Sequence, residues 1–591
     1  MDFYGFYTGT MMDAYAYLGA HLKKGGVVFR TFAPNALGVS LLHKGREIPM
    51  GKVFDGNFFE VTVADAAVGD KYEYRVYNRQ NAYTDHCDPY GFAMELRPAH
   101  QSVICDLSNY AFKDSAWMNR KAEADAKPMN IYEMHVGSWR KKENGEWLRY
   151  DELARPLAEY LKKSGYNYVE FLPISEHPSD ESWGYQNTGF YAPTSRYGSP
   201  SDLKKMIDTL HQNQIGVILD FVPVHFAVDA YGLTRYDGSA LYEYPNSDVG
   251  NSEWGSYNFM HSRGEVRSFL QSAANFWLTE YHFDGLRMDA ISRIIYWQGD
   301  EKRGENGNAV DFIKVMNREL KARHPQCVLI AEDSTNYPKV TADVNQGGLG
   351  FDYKWDMGWM HDTLEYFQTP PEKRSLNYHK LTFSMMYFRN EKYLLPFSHD
   401  EVVHGKATIM QKMNGEYEMK FPQARAMYLF MMAHPGKKLN FMGNEIGQLR
   451  EWDEKREQDW DLQKYPSHDS FYRYMADLNH IYLAHSALYE WDYKESGFQW
   501  LDCHQESQCV YAIERRSEKE RIVAIFNFSQ NPQQNYEVFL QDAGSVAPLL
   551  YSDWNKYGGE TPELESVCSL NNGSLSCSLN PFSAILLKVK E

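Results

Sequence analysis

Cysteine is scarce in this sequence, with only seven among 591 residues. Their number is odd, they are widely scattered, and no two form a close Cys-x-x-Cys pair, so neither a disulfide framework nor a zinc site is indicated. The seven are Cys87, Cys105, Cys327, Cys503, Cys509, Cys568 and Cys577.

Long hydrophobic runs are also lacking. No apolar stretch is long enough to cross a bilayer. The N-terminal residues Met1-Asp2-Phe3-Tyr4 do not form the positive region and apolar stretch of a secretory signal. Together with the scattered cysteines, these absences predict a soluble cytoplasmic protein. We expect a monomer or weak oligomer, although the sequence does not specify the oligomeric state.

Basic residues are outnumbered by acidic ones: the chain has 61 Lys and Arg but 79 Asp and Glu, which gives a net charge of −18. Such a chain repels nucleic acid and anionic membranes, and no polybasic run appears. An uncharged partner therefore fits better than either. The aromatic content of 15% suits stacking on sugar rings, although large cores also use aromatic residues.

The chain is too long for one hydrophobic core, and its pattern of predicted secondary structure changes twice. Short β-branched or aromatic runs at 27–32, 58–63 and 72–76 are separated by turn residues, as in a β-sandwich. Similar runs return beyond residue 490. We therefore predict an N-terminal β-sandwich at 1–110, a catalytic domain at 111–490 and a C-terminal β-sandwich at 491–591.

The middle region alternates strand and helix patterns over roughly 350 residues, which indicates a (β/α)8 TIM barrel. Ser201 is a plausible N-cap for the clearest helix, at 202–214. A doubly wound open sheet is the alternative, but no G-x-G-x-x-G loop supports it. Strands are predicted at 130–135, 168–172, 217–222, 283–289, 328–332, 393–397 and 438–442, and helices at 202–214, 266–281, 310–323 and 423–433.

Arg287 and Asp289 end the strand at 283–289. Side chains two positions apart lie on one face of a strand, with Cα atoms about 7 Å apart. The arginine favours the ionised carboxylate and so suits a nucleophile better than a proton donor. A buried ion pair that merely closes the strand is the structural alternative.

Other predicted strands also end in polar residues. Asp220 and His225 follow one, Glu332 and Asp333 another, and His399-Asp400-Glu401 a third. Burying so many charges costs several kcal/mol per unpaired ion unless they surround a ligand or one another. A functional cluster is therefore favoured over isolated structural acids.

A metal site is one alternative for this cluster, because His225, Asp289, Glu332 and His399 could ligate an ion. Arg287 in their midst argues against a second cation, and we predict neither metal nor cofactor. Paired carboxylates without a metal or phosphate loop instead suggest glycosidic bond chemistry. Asp289 is then the candidate nucleophile, Glu332 the candidate acid/base, and Asp400 a third carboxylate that binds ring hydroxyls and favours a distorted sugar.

Several motifs in the chain resemble the α-amylase superfamily, glycoside hydrolase family 13. Four are its conserved regions: Asp220-Phe-Val-Pro-Val-His225, Asp284-Gly-Leu-Arg-Met-Asp289, Ile330-Ala-Glu332-Asp333 and Ser398-His-Asp-Glu401. Flanking strings resemble 1,4-α-glucan (glycogen) branching enzymes in particular: Trp183-Gly-Tyr-Gln-Asn-Thr-Gly-Phe-Tyr-Ala-Pro193, Gly350-Phe-Asp-Tyr-Lys-Trp-Asp-Met-Gly-Trp359, His399-Asp-Glu-Val-Val-His-Gly-Lys406 and Phe441-Met-Gly-Asn-Glu445. The N-terminal region is similar to family-48 carbohydrate-binding modules.

The resemblance implies a role for each motif residue. Asp289 would be the nucleophile, Glu332 the general acid/base, and Asp400 would stabilise the oxocarbenium-like state. His225 and His399 would bind hydroxyls of the transferred sugar, and Tyr185 would stack on its ring. Arg287 would orient the nucleophile, with Asp220 behind it.

The activity implied is a retaining double displacement. An internal α-1,4 bond is cut and the glucan chain passes to a 6-hydroxyl, with glycogen, amylose or a starch-like polymer as donor and acceptor. Retention expects the two carboxyl groups about 5–5.5 Å apart. Two alternatives stay open: an α-glucan hydrolase of the same superfamily and a non-catalytic glucan-binding scaffold.

Overall fold

The structure is a computed structural model that describes residues 1–120, 124–505 and 507–591. The chain divides into two compact units, each assembled from separate stretches. The first comprises Met1–Ala122, His135–Ala158 and Glu170–Asp352. The second comprises Glu123–Met134, Glu159–Val169 and Tyr353–Glu591.

The N-terminal region of the first unit consists of antiparallel sheets, as predicted. One sheet contains, in spatial order, Gly19–Lys23, Gly26–Phe32, Phe58–Val63 and Gly51–Val53. The other contains Arg46–Pro49, Gly38–His43, Lys71–Tyr77 and Tyr83–His86, and Ser102–Val103 also pairs with Lys71–Tyr77.

A short N-terminal helix, Phe3–Thr8, packs on the helix Gly264–Glu280 of the same unit. The hydroxyl of Ser268 donates to the carbonyl of Phe6 over 3.0 Å. At Gly264 the two backbones approach so closely that a Cβ would lie 1.8 Å from the carbonyl oxygen of Tyr7. Glycine is therefore required where the two helices meet.

Eight strands close into the predicted barrel in chain order. Every residue of these strands is buried except Tyr168, which is half-buried, as expected for strands covered on both faces. We number them β1 Asn130–Met134, β2 Tyr168–Phe171, β3 Gly216–Phe221, β4 Gly285–Met288, β5 Val328–Ala331, β6 Tyr353–Trp355, β7 Tyr393–Phe397 and β8 Lys437–Phe441. The short strand β6 was not among the predicted strands.

Parallel pairing sets the register within each unit. In the first unit, β4 lies between β3 and β5, and Arg287 is level with Asp220 on one side and Ile330 on the other. In the second unit, β7 pairs with β6 and β8, and β8 pairs with β1. The barrel register thus places Asp220 beside Arg287, a pairing that the candidate site uses.

The helices between these strands follow the predicted apolar periodicity. The helix predicted at 202–214 spans Pro200–Gln212, and its N-cap is Ser199 rather than Ser201. Ser199 forms a capping box with Asp202, and Pro200 occupies the first helical position, where its missing N–H would have no helical partner anyway. The other long helices are Tyr150–Ser164, Gly264–Glu280, Gly307–Arg323, Met357–Gln368, Tyr417–Ala433 and Pro466–Ala484.

Shorter elements complete the middle of the chain. Two-stranded sheets pair Ser175–Glu176 with Gly189–Pro193, and His225–Phe226 with Tyr257–Asn258. Short helices lie at Ser115–Met118, Val136–Trp139, Ser247–Gly250, Ser292–Ile295, His379–Thr382, Ser384–Tyr387 and Ile409–Lys412. No helix in the described ranges has the length and apolarity needed to span a membrane.

The C-terminal region of the second unit is all-β, as predicted. A five-stranded sheet runs in the order Phe498–Gln505, Val510–Arg516, Arg521–Asn527, Ser583–Lys590 and Ser545–Tyr551. A three-stranded sheet contains Gln533–Phe539, Ser574–Leu579 and Cys568–Asn571.

One disulfide bond joins Cys568 to Cys577, which the cysteine spacing did not indicate. The two residues lie directly opposite each other on paired antiparallel strands. Side chains at such positions are close enough to bond. Sequence spacing alone conceals this pairing because it depends on the hairpin register.

Candidate active site

Arg287 is the centre of the candidate site in the first unit. It lies in β4, where burial of the whole strand leaves its side chain inaccessible to solvent. Its Nη1 donates to both oxygens of Asp220 on β3, over 2.8 and 2.7 Å. Burial disfavours the guanidinium charge, but Asp220 and the other acids around it outweigh burial and raise the pKa of Arg287. Arg287 is therefore a fixed positive charge.

Asp289 and Glu332 both contact this guanidinium. Nη1 donates to Oδ1 of Asp289 over 3.1 Å, and Nη2 donates to Oε2 of Glu332 over 2.8 Å. The two carboxylates keep 17% and 16% of their side-chain surface exposed, whereas Arg287 is fully covered. Asp289 and Glu332 therefore contact the same arginine and keep exposed surface that a ligand can reach.

Glu332 follows β5 and is held through one oxygen. The backbone N–H of Ala290 donates to Oε2 over 2.9 Å, in addition to Arg287. Within the described residues no donor reaches Oε1, which is the oxygen left to carry or accept a proton.

Tyr185 approaches the same group from the loop before the strand Gly189–Pro193. Its hydroxyl donates to Oδ2 of Asp220, and Nη1 of Arg287 lies 3.3 Å from that hydroxyl. The hydroxyl anchors the ring among the charged residues. Its predicted role in stacking on a sugar stays a prediction.

His225 lies in the same unit, just beyond β3, in the strand His225–Phe226. Burial and the positive charge of Arg293 lower the pKa of His225 to about 4. The ring is therefore neutral near pH 7. Within the described part of the chain its buried Nδ1 has no hydrogen-bond partner, and the ring of Trp254 lies 5.5 Å away between centroids. A neutral imidazole with a spare nitrogen is suited to binding a hydroxyl.

The second unit holds the other two predicted residues, His399 and Asp400, directly after β7. The carboxylate of Glu133, on β1, accepts from the backbone N–H of His399 over 2.8 Å and contacts Nδ1 over 2.9 Å. Nε2 of His399 lies 3.3 Å from Oδ1 of Asp400, whose side chain is 42% exposed. Glu133 thus orients the imidazole toward Asp400.

Glu133 and Lys412 are functional candidates that sequence reasoning missed. Glu133 is an acid inside the apolar strand β1, which was the available signal. Lys412 ends the helix Ile409–Lys412, and its Nζ donates to the carbonyls of Glu401, Lys406 and Ala407 over 2.5, 2.6 and 2.7 Å. Burial lowers the pKa of Lys412 to about 8. Both residues fix the backbone or side chains next to Asp400.

The predicted residues thus fall into groups. Tyr185, Asp220, Arg287, Asp289 and Glu332 form one hydrogen-bonded cluster in the first unit. His399 and Asp400 form a second group, and their approach to the first cluster stays a prediction. Within the described ranges, no group of three or more His, Cys, Asp or Glu residues is placed to hold a metal ion.

Three known protein families match parts of the chain. Residues 157–240 and 255–537 match the alpha-amylase catalytic domain. Residues 2–90 match the N-terminal domain of the alpha-1,4-glucan branching enzyme GlgB, and residues 500–590 match the alpha-amylase C-terminal all-beta domain.

Solved structures share the fold at low sequence identity. A putative alpha amylase from Salmonella typhimurium is 18% identical with a TM-score of 0.72, covering 97% of this chain and 100% of that one. A pullulanase from Anoxybacillus sp. LM18-11, complexed with maltotetraose, is 18% identical with a TM-score of 0.77, covering 99% and 89%. At these identities the likeness shows the fold alone.

Curated relatives are much more similar in sequence, and all three described below carry the name 1,4-alpha-glucan branching enzyme GlgB. The protein of Cellvibrio japonicus is 41% identical over 100% of this chain and 84% of its own. Those of Bacillus subtilis (strain 168) and Halothermothrix orenii are 40% and 42% identical, over 97% and 94% of this chain and 94% and 92% of their own lengths. The chain therefore belongs to the GlgB family of 1,4-alpha-glucan branching enzymes.

Proposed function

We propose that this protein cuts an internal α-1,4 bond of a glucan and transfers the released chain to a 6-hydroxyl, making an α-1,6 branch. The observation that carries the chemistry is the shared guanidinium of Arg287, which contacts both Asp289 and Glu332. The observation that selects branching is full-length likeness to GlgB proteins.

In the first step, a carboxylate oxygen of Asp289 forms a bond to the anomeric carbon as the bond from that carbon to the leaving O4 breaks. Glu332 gives its proton to O4. Asp289 suits attack because Arg287 favours its ionised form. Oε1 of Glu332 suits proton transfer because neither Arg287 nor Ala290 contacts it.

In the second step, the 6-hydroxyl oxygen of the acceptor glucan attacks the anomeric carbon and the bond to Asp289 breaks. Glu332 accepts the hydroxyl proton, which restores both side chains. Two displacements at one carbon retain the α configuration.

The remaining residues position the donor sugar in this scheme. The pair formed by Asp220 and Arg287 holds the nucleophile, and Tyr185 supplies a ring for stacking. His225 offers its spare Nδ1 to a hydroxyl. His399 and Asp400 bind ring hydroxyls, and Asp400 favours a distorted sugar. No step requires a cofactor.

Amylose with iodine provides the test. Branching lowers iodine staining without a matching rise in reducing ends, because each cut is followed by a new bond. Debranching the product should then release the transferred chains. A rise in reducing ends that matches the loss of staining would identify a hydrolase and overturn the proposal. No change in either would favour a binding scaffold.

A further inference from the structure

A tryptophan lies beside His225 of the candidate active site, and the reaction proposed above gives it no role. Trp254 belongs to the loop between the short helix Ser247–Gly250 and the strand Tyr257–Asn258, and 45% of its surface is exposed. That strand pairs with the one that carries His225. The pairing explains why the indole ring comes within 5.5 Å of the imidazole, measured between ring centroids.

Arg293 holds the indole ring in position. Its guanidinium lies over the ring, 4.6 Å from the centroid, where a cation is attracted to the aromatic face. Arg293 is itself anchored twice. It donates to the carbonyl of Gln298 over 2.7 Å, and it forms an ion pair with Glu253, the residue before Trp254. Because Glu253 offsets its charge, Arg293 orients the ring without making the surface attractive to anions.

The backbone of the Trp254 loop is fixed as well. The backbone N–H of Trp254 donates to the hydroxyl of Ser252 over 3.2 Å, and its carbonyl accepts from Nε2 of Gln186 over 3.0 Å. Gln186 directly follows Tyr185, whose ring is predicted to stack on the transferred sugar. The loop that carries Trp254 is therefore hydrogen-bonded to the loop that carries Tyr185, and each presents an aromatic ring next to a residue of the candidate site.

We propose that Trp254 stacks on a glucose unit of the transferred chain, namely the unit that adjoins the one held by His225. A sugar ring is apolar on its faces and polar around its edge, so a fixed indole suits a face just as the spare nitrogen of His225 suits a hydroxyl. Tryptophan is highly buried on average, whereas nearly half of Trp254 is exposed. The inference rests on the proposed function, which supplies an α-glucan as the donor.

This contact also gives Trp254 a role in specificity. A donor chain that ends before reaching Trp254 gains nothing from the indole, whereas a longer chain gains the stacking energy. Differences in affinity of this kind decide which of two substrates is used. Trp254 therefore favours the transfer of longer chains.

Binding of maltoheptaose, measured by calorimetry, tests the contact without turnover when every protein carries Asp289→Asn. Adding Trp254→Ala should weaken the affinity roughly three- to tenfold. Adding Trp254→Phe, which keeps an aromatic face, should change it by less than about twofold. Phe539→Ala is the control for loss of an exposed aromatic residue, because Phe539 is 68% exposed at the end of a C-terminal strand and should not affect binding.

Rates measured with Asp289 intact give the second readout. With Trp254→Ala, KM for amylose should rise roughly three- to tenfold while kcat stays within about twofold, as expected when a contact common to ground and transition states is lost. Debranching the product should release a larger fraction of short transferred chains. Partial misfolding would have the opposite signature, since it lowers kcat and leaves KM and the chain-length profile unchanged.

The proposed contact is overturned if Trp254→Ala leaves the maltoheptaose affinity or the chain-length profile unchanged. Equal losses of affinity in Trp254→Ala and Phe539→Ala, or no binding of maltoheptaose by the Asp289→Asn protein, would also overturn it. The iodine assay on the parent protein separates this failure from that of the proposed function. A parent that branches while Trp254→Ala behaves like it refutes only the role of Trp254. A parent that binds maltoheptaose through Trp254 without branching refutes only the transfer reaction.

Discussion

The two ends of strand β4 carry charged clusters that differ in how completely they are closed. Asp284 precedes the strand and is buried. It accepts hydrogen bonds from the ring nitrogen of Trp117 over 2.8 Å, from Arg120 over 2.9 Å and from the backbone of Val217 over 2.7 Å. His211 contacts the same carboxylate over 2.7 Å.

His211 extends this amino-end cluster to a second acid. Its Nδ1 contacts Asp114 over 2.7 Å, and Asp114 also contacts His282 over 2.9 Å. Both carboxylates are nearly inaccessible to solvent. Every partner is another residue of the protein, so the amino-end cluster is closed.

At the carboxyl end of β4, Arg287 is fully buried, whereas the acids that contact it are partly exposed. Asp289 and Glu332 retain exposed surface, and Oε1 of Glu332 is free of donors among the described residues. Charges satisfied only by the protein stabilise it, whereas charges left partly open are available to a substrate. The comparison predicts that the two ends respond oppositely to substitution.

The largest effect is expected at the carboxyl end. Asp289→Asn should lower kcat by roughly 10⁴-fold or more, because an amide cannot form the covalent intermediate. Stability should change little, since Asp289 is partly exposed and Arg287 keeps Asp220 and Glu332. Initial branching rates measure the change in kcat, and thermal unfolding measures the change in stability. Activity within tenfold of the parent would reject Asp289 as the nucleophile.

The opposite pattern is expected at the amino end. Asp284→Asn should destabilise the protein by about 3–5 kcal/mol, because it leaves His211 and Arg120 with one buried charge fewer to offset theirs. The folded fraction should keep near-normal kcat. Denaturant unfolding and active-site-normalised rates measure these effects. A large fall in kcat with unchanged stability would contradict the assignment of Asp284 to a structural cluster.

The amino-end cluster should also make stability depend on pH. Burial lowers the pKa of His211, but Asp284 and Asp114 outweigh it and raise the pKa to about 9. A raised pKa stabilises the fold fully below the unfolded value near 6.5, and this contribution is lost as pH rises through about 9. Up to about 3 kcal/mol is involved.

Unfolding free energies measured from pH 6 to 10 provide the check. His211→Gln can still hydrogen-bond but cannot titrate, so its stability should lose this pH dependence. His480→Gln is the control, because His480 is exposed and, among the described residues, its side chain hydrogen-bonds only to the carbonyl of Lys163. A parent protein equally stable at pH 6.5 and pH 9.5 would show that His211 is not charged in the fold.

Sequence reasoning found seven of the eight barrel strands, because most of them are short runs dominated by apolar residues and separated by helical patterns. It missed Tyr353–Trp355 because three residues with a lysine at the centre give no period. It also named the residues at the carboxyl ends of β3, β4 and β5, since parallel strands bring those ends together.

The sequence alone did not show which of two similar acids is enclosed by the protein and which is available to a substrate. Asp284 and Asp289 flank the same strand, and only the surrounding residues distinguish a closed cluster from an open one. Those partners come from distant segments: Trp117 lies 167 positions from Asp284. Glu133, which orients His399, is 266 positions away from it. Such pairings depend on tertiary structure that local patterns do not contain.

The smallest predicted effect concerns Tyr185, whose hydroxyl contacts the buried Asp220 next to the partly exposed acids. Tyr185→Phe keeps the ring for stacking but removes the hydroxyl that donates to Asp220. The two hydrogen bonds from Arg287 to Asp220 remain, so we expect a loss of about 1.5 kcal/mol, or roughly tenfold in kcat/KM. Tyr185→Ala removes the ring as well and should raise KM further. If both variants show the same KM, Tyr185 acts only through its hydroxyl and the stacking role is wrong.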